Sequence, residues 1–368
     1  MFADRLTRLQ SVLQERGVDW LALLPGPNLR YLTGLDFHLS ERPLVMFVPP
    51  EGAPVLALPS LELPKFRRLG PFEAETFTYE DVDGPESAFM SAVAALPEAY
   101  RIAVEHLRMR VLEFNLIRRR VPNVIVVDAG PLMDILRLYK DEAEVAQQRA
   151  AVRMTEDALA AVAEEIQPGM TEAQIAGMLR IALIEQGGGE AAFSPIVLSG
   201  PNAALPHGGP GERAVAAGEV LLIDFGTTSG GYVADLTRTF AVGRPLDGRH
   251  RDVYEAVRLS NEAGRAAARP GVTAGEIDRA ARQAMADAGF GDYYLYRTGH
   301  GIGLDVHEGP YIMAGNEMVL EPGMTFTVEP GIYLPGEIGV RIEDDMLVTP
   351  EGAESMTRYP REMTVLGG

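Results

Sequence analysis

The chain of 368 residues contains no cysteine. That absence removes disulfide scaffolds, zinc fingers, iron–sulfur clusters and thiol nucleophiles together. Histidine is scarce, with residues only at positions 38, 106, 207, 250, 300 and 307, so any metal site must lean on carboxylates. Lysine is nearly missing too. Lys65 and Lys140 are the only two, and arginine supplies the rest of the 33 basic residues. Against them stand 52 acids, for a formal net charge of −19. A field of that sign repels phosphate backbones and anionic bilayers, and no basic run with interleaved aromatics offsets it, so nucleic acid is excluded as a partner. No segment approaches 18 uncharged apolar residues, so no membrane span is expected. The opening MFADRLTRLQ carries charges where a signal peptide needs an apolar stretch, and the expected location is the cytoplasm.

What is present is enough for a sizeable core. The hydrophobic share is 46%, and the length calls for two or three domains. Residues 5–16 place apolar side chains at helical spacing, and Gly17 is positioned to end that helix. WLALLP at 20–25 reads as a buried strand followed by a turn at Asn28. LVMFVP (44–49) and PVLALP (54–59) read as paired strands around Glu51–Gly52. RIAVE (101–105) and NVIVVDA (123–129) read as two more, with a helix near 107–120 between them. The first strand–helix junction has no glycine-rich loop, so a nucleotide site lacks its usual mechanism. A long helical region is expected from near Asp134 to Ile166, its front part linking the domains.

The second part repeats itself. PGMTEAQIAGMLRIAL begins at Pro168 and PGVTAGEIDRAARQAM at Pro270. Each opens with a threonine followed three residues later by Gln or Glu: Thr171/Gln174 and Thr273/Glu276. That is a capping-box pattern. Downstream, GEVLLID ends at Asp224 and GMTFTVE ends at Glu329, each acid six residues after its glycine. The pattern predicts a duplicated α/β unit whose halves face one another around a shared site.

Acids sit where apolar residues belong. Asp224 closes the run VLLID, and Asp235 lies in the strand-like GYVADLTRTF. A turn at Ser229–Gly230 would put the two directly opposite. A three-residue loop at Pro335–Glu337 would likewise pair Glu329 with Glu343. Buried carboxylates that close repel one another or become protonated, unless a divalent cation lies between them. Four acids in two hairpins plus a histidine suit two divalent ions, and water bound between such ions becomes a nucleophile near neutral pH. His300 and His307 fall in RTGHGIGLDVHEGP, where glycines 299, 301 and 303 allow close backbone approach; His207 lies in a loop, PNAALPHGGPGE. His38, His106 and His250 have no comparable surroundings.

At these residues the sequence resembles the pita-bread metallopeptidases, the family of methionine aminopeptidase, Xaa-Pro aminopeptidase, Xaa-Pro dipeptidase (prolidase) and the non-peptidase creatinase. The family's five metal ligands match Asp224 in LLIDFG, Asp235 in ADLTRTF, His300 in GHGIGLDVHEGP, Glu329 in VEPGIY and Glu343 in VRIEDD. All five types are intact, which argues against the metal-free binding relatives and against creatinase. The stretch RLTRLQSVLQERGVDWLALLPGPNLRYLTG resembles the domain that creatinase, Xaa-Pro aminopeptidases and prolidases carry ahead of the catalytic one. The resemblance implies an α/β fold: a creatinase-like N-terminal domain over 1–133, then a pseudo-two-fold α+β pita-bread catalytic domain over 134–368.

The resemblance also implies a mechanism. Asp224 would bind one ion, Asp235 and Glu343 would bridge both, and His300 with Glu329 would complete the shell of the other ion. The ions would be Mn or Co, with Zn or Fe as alternatives. Glu329 would shuttle the proton, His307 would meet the carbonyl side of the substrate, and His207 the scissile nitrogen or the proline. The implied substrate is a proline-containing dipeptide and the implied assembly a homodimer. A dipeptidase needs a carboxylate anchor, for which Arg341 and Arg361 are candidates; orienting Asp224 is an equal reading for Arg341. An aminopeptidase acting on longer peptides needs an open channel. The compact chain favours the dipeptidase. Asp36 is a candidate contact for the substrate amine. One departure is visible: many proline-specific members carry a histidine four residues before the metal-binding one, and here that position is Tyr296.

Overall fold

The computed structural model describes residues 2–189 and 191–368. The chain forms two compact units, Met1–Arg137 and Leu138–Gly368. The first is built on a mixed six-stranded sheet. In spatial order its strands are Glu75–Tyr79, Val55–Pro59, Val45–Val48, Trp20–Leu23, Arg101–Val104 and Ile125–Asp128. The central strand Trp20–Leu23 is buried along its whole length because it has a neighbour on each side, antiparallel to Val45–Val48 and parallel to Arg101–Val104. Trp20 meets Phe47 edge to face at 5.4 Å, and Phe89 and Ile102 extend the same core. The opening helix runs Phe2–Arg16, and Gly17 follows it with φ 61°.

Two local readings of this region change. The turn expected at Asn28 is the first turn of a helix, Pro27–Thr33, with Pro27 preset for the first helical position. The continuous helix expected from Asp134 to Ile166 is interrupted. One helix, Gly130–Arg137, ends the first unit, and another, Glu142–Glu165, begins after Asp141. Asp141 and Glu144 form a capping box, and that local hydrogen-bonding restarts the helix.

The second unit is two related halves. The first half has helices Glu142–Glu165 and Glu172–Glu185 and a sheet in the order Val365–Leu366, Leu236–Val242, Val220–Phe225, Ile196–Ser199. The second has helices Gly248–Ala267 and Ala274–Asp287 and a sheet in the order Glu308–Ile312, Gly299–Gly301, Thr325–Val328, Asp344–Thr349, Gly352–Ser355. Both expected capping boxes form: Thr171 accepts from Gln174 N at 3.1 Å and Thr273 from Glu276 N at 3.2 Å. The same threonines make equivalent antiparallel bridges, Thr171 to Ala214 and Thr273 to Val319.

The halves join along a polar seam. Thr239 Oγ1 donates to Arg341 O at 2.9 Å, and Glu343 N donates to Thr237 O at 3.1 Å. Arg238, almost fully buried, donates to Thr237 O, Glu343 O and Asp344 Oδ1. Among the described residues no helix is long and apolar enough to cross a membrane.

Candidate metal centre

The hairpin bearing Asp224 and Asp235 differs in register from the sequence expectation. Its turn is Gly230–Gly231, both at positive φ (55° and 92°), which glycine alone takes without strain. Asp224 therefore lies opposite Thr237, not Asp235. The slip is two residues, so the face is kept and both acids still point the same way. Thr237 in turn donates to Glu343 Oε2 at 2.6 Å. The second hairpin follows the expected register. Strands Gly331–Leu334 and Ile338–Arg341 pair around the three-residue loop 335–337, and Val328 pairs with Asp344, so Glu329 and Glu343 face each other between the two paired stretches.

His300 sits on the short strand Gly299–Gly301, which is held very close to its neighbours. A Cβ added at Gly299 would lie 1.9 Å from Thr327 O, and one at Gly301 the same distance from Gly309 O. Only glycine permits this approach. The imidazole Nδ1 of His300 lies 3.1 Å from Gly301 O, a contact that turns Nε2 toward the acids. That Nε2 is 3.2 Å from Glu329 Oε1 and 3.8 Å from Asp235 Oδ2.

Asp224, Asp235, His300, Glu329 and Glu343 all line one cavity of about 860 Å³, together with His207 and His307. Donor atoms of Asp235, His300 and Glu343 lie within 4.8 Å of one another, a spacing that can hold a metal ion. One oxygen each of Asp224, Asp235 and Glu343 is buried with no hydrogen-bond partner. Buried polar atoms are almost always satisfied, so partnerless oxygens on three acids that line one cavity suit the binding of a cation there. The donor set, carboxylates plus one imidazole, fits a divalent cation.

The electrostatics agree. Burial, then the neighbouring charges of Glu343 and Asp224, push the Asp235 carboxyl well above its ordinary range. Burial, then Glu329 and Asp224, do the same to Glu343. Asp224 is raised by burial against the opposing pull of Arg341. Glu329 behaves differently. Burial acts to raise it, but the hydrogen bond and charge of His300 bring it below its usual value. With 21% of its side chain exposed, Glu329 is the most accessible member of the set, against 10% for Asp224, 6% for Asp235 and 3% for His300. The His307 ring packs edge-on to His300 at 4.2 Å, and burial followed by His300 lowers its pKa to about 4.

The two arginines considered as carboxylate anchors are both engaged elsewhere. Arg341 donates through Nη2 to Asp224 Oδ2, through Nε to Thr237 Oγ1 at 3.1 Å and through Nη1 to Tyr333 Oη at 2.6 Å. It orients Asp224. Arg361 pairs with Asp344 at 2.7 and 2.8 Å and takes no part in the cavity wall. Asp36 is exposed, 3.7 Å from Arg30, and its carbonyl accepts from Lys65. Tyr296 does reach the cavity, edge-on to Tyr333 at 6.1 Å. Sequence reasoning missed Asp345, whose Oδ2 accepts from Asp235 N at 3.1 Å and so fixes the backbone of that ligand. The available signal was the triple acid of VRIEDD inside strand-like sequence.

The model of metallopeptidase family M24 matches residues 146–350, more than half of the chain. The chain belongs to metallopeptidase family M24. A creatinase/prolidase N-terminal domain matches residues 5–139 ahead of it. The chain is 38% identical to the probable dipeptidase PepE of Mycobacterium tuberculosis, covering 100% of this chain and 97% of that one. It is 35% identical to the Xaa-Pro dipeptidase of Lactobacillus delbrueckii subsp. lactis, covering 98% of each. Among solved structures, a prolidase from Thermococcus sibiricus superposes with a TM-score of 0.94 at 32% identity, over 100% and 99% of the two chains. The X-Pro aminopeptidase from Thermotoga maritima follows at 0.85 and 31%, over 98% and 99%. The pita-bread α/β fold expected from the sequence is therefore the fold observed.

Proposed function

We propose that this M24 protein is a metal-dependent Xaa-Pro dipeptidase, hydrolysing the peptide bond that precedes proline. The observation that carries the reading is the set of three partnerless buried carboxylate oxygens on Asp224, Asp235 and Glu343, converging with His300 in one cavity. The relatives named Xaa-Pro dipeptidase, at about a third identity over the full chain, support the choice of substrate. Asp224, Asp235, His300, Glu329 and Glu343 would hold two divalent ions, Mn or Co, with Zn or Fe as alternatives. Such ions supply Lewis acidity at the scissile carbonyl and an acidified water.

The residues of the chain do the rest. Asp224 is held in one orientation by Arg341, and Glu343 by Thr237. Glu329, accessible and 3.2 Å from His300 Nε2, would take a proton from the attacking water and return it to the departing nitrogen. His307, with its pKa lowered to about 4, is neutral near pH 7 and donates to the carbonyl side as a neutral imidazole. His207 lines the same cavity and would receive the leaving residue. A bond before proline is a tertiary amide without an N–H, so the site must recognise ring shape in place of a donor. Ile196, Val306 and Tyr333 provide apolar wall for it.

Family likeness is also the basis for placing the protein in the cytoplasm as a homodimer. The test is metal analysis with hydrolysis assays. About two divalent ions per chain and chelator-sensitive cleavage of Ala-Pro support the reading. A folded, metal-free protein that resists reconstitution overturns it. The likeness to an X-Pro aminopeptidase keeps one second reading open, and efficient cleavage of Ala-Pro-Ala would select it.

A further inference from the structure

The two half-repeats differ at a buried position. Helices Glu172–Glu185 and Ala274–Asp287 both start on a threonine cap, and the backbone behind each cap makes equivalent contacts. Glu172 N donates to Arg213 O and Ala173 N to Gly211 O, both at 3.0 Å; Ala274 N donates to Met318 O and Gly275 N to Asn316 O, both at 2.9 Å. The residue after the threonine is Ala274 in one half and Glu172 in the other, and both are fully buried. A helix that starts well on alanine does not need the acid, and burying a carboxyl group is costly unless donors meet it.

The donors that meet Glu172 all belong to one segment. Ser199 donates to Oε1 through its N at 2.8 Å and its Oγ at 2.9 Å. Asn202 Nδ2 reaches both oxygens, at 3.1 and 3.3 Å, and Gly211 N donates to Oε2 at 3.2 Å. A carboxylate only accepts, which suits a site where every neighbour is a donor. Ser199 and Gly211 flank the loop that carries His207. Within the loop the contacts run on: Leu205 N donates to Asn202 O at 2.9 Å and Gly208 N to Leu205 O at 3.0 Å, closing a turn around His207. His207 itself is exposed on the cavity wall, so the backbone beneath it sets where the imidazole stands.

We infer that Glu172 is a positioning residue for His207: it clamps both ends of the loop and so fixes the imidazole against the leaving residue. The inference rests on the dipeptidase reading, in which His207 contacts that residue, and adds the buried group that holds it there.

The test uses the full chain and its Glu172→Gln, Asn202→Ala and His207→Ala variants. Glutamine turns one acceptor into a donor that must face either Ser199 N or Gly211 N. Deuterium uptake in segment 200–211 should rise at least about tenfold in rate in Glu172→Gln, while strand Val220–Phe225 keeps its wild-type rate. Asn202→Ala removes one link of the clamp and should give a smaller rise, and it carries the test if Glu172→Gln does not fold. With metal loaded, Glu172→Gln should lower kcat/KM for Ala-Pro by about 10- to 100-fold, as a displaced group does. In a His207→Ala background the same change should cost less than about threefold, because the group it positions is gone. Unchanged uptake in 200–211, or a rise shared equally by Val220–Phe225, overturns the clamp. Full multiplication of the two losses, or a His207→Ala variant with wild-type kcat/KM, overturns the link to His207. If the metal-loaded wild type turns over no prolyl substrate, the dipeptidase reading fails, and the uptake measurement still decides the clamp.

Discussion

Replacing Asp344 by Asn should weaken the second unit substantially. Asp344 is completely buried. It accepts from Arg238 Nη2 at 2.8 Å, from Arg361 at 2.7 and 2.8 Å and from Asn261 Nδ2 at 3.0 Å, with Arg265 Nε at 3.4 Å. Removing one member of a buried ion pair typically costs about 3–5 kcal/mol. Here the low end applies, because both arginines keep other acceptors. Arg238 retains Pro360 O and Tyr359 O, and Arg361 retains Ser355 Oγ and Thr357 O. A loss of about 3 kcal/mol would lower the melting temperature of a unit this size by roughly 6–12 °C. The pH dependence has a definite sign. Burial acts to raise Asp344, but Arg238 and Arg361 hold it below its ordinary value. A depressed carboxylate contributes stability above about pH 4 and loses it as the pH falls through its folded value. The wild type should therefore lose more stability on acidification than Asp344→Asn. Urea titrations of the full chain at pH 7 and near pH 3 measure both quantities. A loss below about 1 kcal/mol at pH 7, or parallel acid limbs, would refute this account of the seam.

Three further outcomes follow from the same geometry. Glu329→Ala should lower kcat for Ala-Pro by at least about 100-fold in a protein that still folds, and retained turnover would remove Glu329 from the proton-transfer role. Arg341→Met should weaken metal affinity by about 10- to 100-fold in chelator competition, since Asp224 loses the group that orients it; unchanged affinity would show that Asp224 needs no such support. Lys140→Met should destabilise by about 3 kcal/mol, because it removes the cation from a buried pair 2.7 Å apart while Glu308 keeps its contact from Asp305 N, and changing Glu308 to Leu as well should recover part of the loss. A double variant as unstable as the single one would rule out the unbalanced charge as the cause.

Local chemistry made much of this protein legible from its residues. Capping boxes at Thr171 and Thr273 are written within four consecutive positions, and the interactions they predict form within one helical turn. The Glu329–Glu343 register was readable because a three-residue loop permits little slippage. Acids at the ends of apolar strands announced a metal centre, since burying them otherwise carries a desolvation cost with nothing to offset it. What lay out of reach was the identity of partners. Arg341 meets Asp224 across 117 positions of chain, and Arg361 closes on Asp344 beneath the seam between the halves. An arginine looks the same in sequence whether it is spent or free. The Gly230–Gly231 turn and the commitment of Arg341 and Arg361 are set by which strands lie beside one another. That placement follows from packing two halves into one core, and no local pattern contains it. The sequence by itself determined the elements and the kinds of ligand; the tertiary structure decided which charges face the cavity uncompensated.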